Sequence, residues 1–114
     1  MSITRTILQR IPLPQLPGWE SRLVLLEFPP GVNGSPHTHP APATGYVLEG
    51  DHISQWAGGE EEVYTAGDSF VDRKDELHVR TKNTNKDKPL KLLLSYVIKV
   101  DEPNVVPYVE GEGR

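Results

Sequence analysis

Short runs of aliphatic, β-branched and aromatic residues, each ended by Gly, Pro, Asn or Asp, divide this chain throughout, and no segment beyond a few residues carries helical periodicity. The runs fall at 4–8, 22–28, 44–49, 52–56, 62–65, 69–72, 77–81 and 90–100. Between them lie Pro29-Pro30-Gly31, Gly50-Asp51, Gly58-Gly59, Ala66-Gly67-Asp68 and residues 83–87. Eleven prolines and ten glycines in 114 residues suit a turn-dense β protein and leave no room for a long helix. Eight strands at this spacing predict an all-β sandwich or jelly roll, in which two sheets bend around one interior. One domain over 1–114 is expected, with its core at about 20–100. The proline-spaced stretch Ile11-Pro12-Leu13-Pro14 and the tail after Pro103 read as extended arms that cover an edge strand or reach a second subunit.

Charge and composition narrow the partners. Twelve Lys and Arg against sixteen Asp and Glu give a net charge of −4, with no basic stripe for nucleic acid. Glu60-Glu61-Glu62 is short enough to be a solvated turn. With no cysteine, disulfides, thiolate metal sites and a Cys–His nucleophile are all excluded. Neither Gly-x-Ser-x-Gly nor a phosphate-binding glycine loop is present. No apolar stretch approaches a membrane span, and the first residues lack a signal-peptide pattern. The expectation is a soluble, cytoplasmic domain with a small-molecule ligand, and neither nucleic acid nor membrane as partner.

The four histidines carry the chemistry. His37 and His39 stand two apart, and His78 lies on a later run. In an extended strand residues i and i+2 share a face, so His37 and His39 are expected to bind one ion together. His78 would close the triad from a neighbouring strand. Neutral imidazole is the commonest protein ligand for Zn, Fe, Ni and Cu ions. His52 follows the Gly50-Asp51 turn; alternation carried on from an inward Val47 puts it outward, with Ile53 and Gln55 inward.

Residues 31–40, from Gly31 through His37-Thr38-His39 to Pro40, followed by Gly45-Tyr46-Val47-Leu48-Glu49-Gly50, resemble the first motif of the cupins. That motif runs Gly, five residues, His-x-His, three or four residues, Glu, six residues, Gly. Gly31, His37, His39 and Gly50 fall in register. The second motif runs Gly, five residues, Pro-x-Gly, two residues, His, three residues, Asn. Gly67 and His78 match it, Asn83 stands one position late, and Arg73-Lys74-Asp75 replaces Pro-x-Gly. A subgroup of small cupins is similar also in Ser54-Gln55 and in an acidic residue where Asp72 stands. The resemblance covers residues 20–100 and implies a double-stranded β-helix, an RmlC-like jelly-roll barrel with its site in the mouth, and a homodimer.

The same resemblance implies a ligand set of three histidines and one glutamate, and Ala43 occupies the glutamate position. A three-histidine site keeps open coordination positions; losing the carboxylate disfavours Mn and spares Fe, Zn, Ni and Cu. Inside such a barrel Gln55 could hydrogen-bond a ligand, and Arg80, on the parity of His78 with Glu76, could bind a substrate carboxylate. Glu27 and Asp72 are carboxylates embedded in apolar runs, suited to acid/base work if they point inward. Tyr46, Trp56, Phe70 and Tyr96 are the expected barrel aromatics. The expected function is a metal-dependent enzyme acting on a small oxygen-bearing substrate, as an oxygenase or as a Lewis-acid lyase, decarboxylase or isomerase. The alternatives are a binding or sensing module with a vestigial site and, below it, metal-free acid/base chemistry by the histidines.

Overall fold

Strict alternation builds the two longest strands, β2 (Trp19–Phe28) and β10 (Leu90–Lys99), each with every second side chain buried. They pair antiparallel in unbroken register, so Leu90, Leu92 and Leu94 face Phe28, Leu26 and Val24 across the ladder. Burying each such side chain is worth about 1.5–3 kcal/mol, which makes this pair the centre of the core. β5 (Ala43–Glu49) and β8 (Ser69–Asp72) follow on one side, and β1 (Thr4–Pro12) on the other, giving a five-stranded sheet ordered β1-β2-β10-β5-β8. The second sheet runs β11 (Val106–Pro107), β4 (His37–Thr38), β9 (His78–Lys82), β6 (Asp51–Trp56) and β7 (Glu62–Thr65), with β3 (Asn33–Gly34) also on β9. This computed structural model describes residues 2–108, and no helix occurs among them, so none is long and apolar enough to cross a membrane. The two antiparallel sheets enclose one interior, as the turn-dense sequence predicts.

Gly50 carries the chain from one sheet to the other. Its φ is 86°, in the left-handed region, and a Cβ there would lie 2.9 Å from the Pro89 carbonyl oxygen, so only glycine fits. Both arms cover strand edges. The first is the end of β1, with Pro12 opposite Glu20; the second contributes β11, which pairs with β4. The tail beyond residue 108 lies outside the described residues.

Two polar clusters hold the ends of the interior. Glu20 accepts from Arg10 and Arg22, and Arg22 also donates to Asn104 Oδ1 and the Glu102 carbonyl. Burial alone would raise the Glu20 carboxyl; the two arginines outweigh it and hold the pKa below its ordinary value. At the other end buried Asn83 donates to the carbonyls of Phe28, Pro29 and Lys88, tying the two loops together.

Candidate metal centre

The three histidines meet because of strand pairing. His37 on β4 stands directly opposite His78 on β9, and His39, two residues on, turns to the same side. One ring nitrogen from each lies within 4.8 Å of the others. His39 and His78 are buried and His37 is half-buried at the mouth. The strand that carries His78 is approached by residues 73–76, which Lys74 anchors beside His39 in a parallel bridge and the Asp75 amide by donating to the His39 carbonyl. Asp75 stands at the glycine of the motif's Pro-x-Gly and has φ 60°, a conformation that aspartate tolerates better than most side chains.

The ring nitrogens are oriented by what lies behind them. His37 Nδ1 donates to the Ser35 carbonyl at 2.7 Å, and His39 Nδ1 to the Asn104 carbonyl at 3.2 Å. A carbonyl can only accept, so each Nδ1 carries the proton and each Nε2 presents a lone pair. Those two Nε2 atoms face each other at 3.2 Å. Two lone pairs at that distance repel unless a cation lies between them. His78 Nε2 is 2.6 Å from Ser54 Oγ, its ring stacks on Trp56 at 3.9 Å and 4°, and its buried Nδ1 has no partner. Nitrogens around a metal at about 2.1 Å in tetrahedral geometry stand about 3.4 Å apart, close to the separation of the facing pair. Backbone carbonyls behind ligating rings are the usual support of such sites. The donor set fits a divalent transition metal.

Burial keeps all three rings neutral, the state a metal ligand needs. It pushes His39 down to about 4 and His78 to about 2, with neighbouring imidazoles adding to the effect; in His37 burial lowers the pKa against the pull of the Ser35 carbonyl.

Of the carboxylate candidates, Asp72 reaches the interior. It ends β8, is buried, and stands directly across the ladder from Ala43, the position where the resemblance implies a glutamate. Its Oδ2 lies 3.4 Å from His39 Nε2. Burial lifts the Asp72 carboxyl to about 7, against the opposing charge of Arg5. Near neutral pH the contact therefore joins a neutral imidazole to a partly ionised carboxyl and is not an ion pair. Glu27, by contrast, lies between inward Leu26 and Phe28 and faces outward, 3.9 Å from Lys91 Nζ.

Several expectations from alternation do not hold in the structure. His52 is buried, not outward, and packs against Phe70 with ring centroids 4.8 Å apart. Its parity does not continue from Val47 because the chain changes sheets at Gly50. Gln55 consequently lies outside, bonded to Gly59 O and Arg80. Arg80 is exposed rather than beside His78, because β9 carries a bulge: Trp56 pairs with His78 while Gln55 pairs with Arg80, leaving Val79 as the extra residue. Glu76 is likewise exposed and pairs with Arg73. Trp56, Phe70 and Tyr96 are interior aromatics, but Tyr46, flanked by inward Gly45 and Val47, is 45% exposed. Alternation from the face-sharing Trp56 would have found both His52 and Ser54, and nothing local marks Arg5 or Asn104.

A cavity of about 180 Å³ opens beside the histidines, walled by Leu26, Phe28, Leu92 and Leu94 on one side and by His52 and Thr81 on the other. It has the volume of about six water molecules in the liquid, room for a small organic molecule.

The comparisons agree on the barrel. Residues 24–96 match the family model described as a cupin domain. No curated protein matches the chain. Among solved structures it is similar to a conserved double-stranded β-helix protein from Klebsiella pneumoniae subsp. pneumoniae (17% identity, 93% of this chain and 85% of that one, TM-score 0.71). It is also similar to the polyketide cyclase RemF from Streptomyces resistomycificus (22% identity, 96% and 73%, TM-score 0.69). A third is an RmlC-like cupin from Shewanella frigidimarina (23% identity, 87% and 78%, TM-score 0.66). At these identities the likeness establishes a fold, and with the family match over residues 24–96 the chain belongs to the cupins.

Proposed function

We propose that this cupin is a metal-dependent enzyme in which His37, His39 and His78 hold a divalent transition metal, with Fe, Zn, Ni or Cu favoured over Mn, and in which a small oxygen-bearing substrate occupies the adjoining cavity. The observation that carries the reading is the facing pair of Nε2 lone pairs 3.2 Å apart, each locked by a carbonyl behind it. When bound, the metal would supply Lewis-acid or dioxygen-binding chemistry, which suits either a lyase, decarboxylase or isomerase, or an oxygenase. The chain's own residues do the rest. The Ser35 and Asn104 carbonyls and Ser54 orient the rings, the apolar wall excludes water, and Asp72 can hold or release a proton at Oδ2 beside His39 near neutral pH. Asp72 also returns a carboxyl group to the space that Ala43 leaves.

Metal analysis of protein purified without chelator or affinity tag tests the reading. About one equivalent of a divalent transition metal is expected, and less than about a tenth overturns it. His39→Ala should lose that metal while keeping a β circular-dichroism spectrum; a normal metal content in the variant would show the triad to be wrongly assigned. Oxygen uptake with a panel of 1,3-dicarbonyls and phenolic acids then separates oxygenase from Lewis-acid chemistry.

A further inference from the structure

One cation at the mouth of the cavity is unmatched. Of the five described arginines, Arg10 and Arg22 engage Glu20, Arg73 pairs with Glu76 and lies over Trp56, and Arg80 bonds Gln55. Arg5 has no hydrogen-bond or ion-pair partner among the described residues. It stands on β1 opposite Leu26. Cross-strand partners share a face, and Leu26 faces the interior, so Arg5 is on the barrel side of the edge strand. There it lines the rim of the same cavity as His37 and is solvent-exposed. Its charge is felt by His37, His39, Asp72 and Tyr96, groups drawn from both sheets.

The other lining groups define what Arg5 can meet. Among the described residues the one carboxyl in the wall is Asp72, which is buried and makes no ion pair with Arg5. The cavity thus offers a ligand a guanidinium, an apolar wall and the nitrogens of the triad within one lining. We propose that Arg5 is the specificity-determining anchor for a small carboxylic acid, its guanidinium gripping the carboxylate at the rim while a short apolar body lies along Leu26 and Leu92 and points its far end at the histidines. The planar guanidinium matches a carboxylate with two parallel hydrogen bonds, which an amide or ester cannot accept equally well. The role that sequence parity gives to Arg80 thus belongs to a residue from the N-terminal strand. This inference deepens the proposed function and rests on it for the reaction, but the binding it predicts does not require the metal.

Calorimetric binding of benzoate, phenylacetate and 4-methylpentanoate, each against its amide, tests it on the full chain, metal-free and zinc-loaded. The acids should bind at least about tenfold tighter than the amides. Arg5→Gln should remove that preference without changing metal content or amide binding, Arg5→Lys should restore part of it, and Arg80→Gln should leave it intact. Equal binding of acid and amide, an unchanged preference in Arg5→Gln, or no binding of any of the three acids would overturn the inference while leaving the metal reading standing. An Arg5-dependent preference in protein that fails to hold metal would do the reverse.

Discussion

The two walls of this barrel divide the work almost completely. The contiguous apolar cluster of Val24, Leu26, Phe28, Val47, Phe70, Leu90, Leu92, Leu94, Tyr96 and Ile98 comes from the five-stranded sheet. The opposite wall turns His37, His39, His52, Ser54, His78 and Thr81 inward, and among the described residues Trp56 is its one buried large apolar side chain. A polar interior wall needs partners for each group it buries. Here they come from carbonyls in flanking loops and from the wall itself, and two ring nitrogens, on His52 and His78, have none. The difference teaches that the apolar sheet can hold the fold while the polar one is left free to be imperfectly satisfied, which is where a ligand gains its purchase.

The largest test of that division lies on the apolar wall. Leu92→Ala should destabilise the chain by about 2–5 kcal/mol, seen as a lower denaturant midpoint at constant slope. If it costs no more than Ser54→Ala, the asymmetry between the walls is wrong.

The second test is pH. Burial holds His52 at about 4, below its ordinary 6.5. An unfolded chain therefore takes up the proton first, so folding stability is full above pH 6.5 and falls as pH drops toward 4. The share carried by His52 is at most about 3 kcal/mol. In chelator-treated protein, His52→Leu should make the loss between pH 6.5 and 4 shallower. An unchanged slope would mean that His52 is charged or hydrated in the folded state.

The smallest effect on folding, and the most selective one, is expected at Ser54. Removing its hydroxyl takes away the partner 2.6 Å from His78 Nε2. Ser54→Ala should weaken metal binding by about 10–100-fold with little change in unfolding midpoint, measured by competition with a chromogenic chelator. A loss of stability equal to the loss of affinity would make Ser54 part of the core rather than of the site.

Much of this is legible in the sequence. The punctuated runs locate the principal strands, and His37, His39 and His78 carry both the motif spacing and the site. What escaped was non-local. Asp72 could be read as a carboxylate in an apolar run, but that it faces Ala43 depends on how β5 and β8 register. His52 was misplaced because parity does not survive a change of sheet, and Arg80 because a bulge inserts one residue into an otherwise regular count. Arg5 lies more than thirty residues from the first histidine, and only the pairing of β1 with β2 brings it to the rim.

The bulge at Val79 also behaves like a frame correction. The chain between His78 and Asn83 is one residue longer than the family spacing, and Val79 absorbs the excess on the partly exposed side of the strand. Thr81 and Asn83 consequently keep their inward places. A single-codon deletion of Val79 should then be silent in the wall of the cavity, and a length change at this point is one the barrel can accept without rewriting its interior.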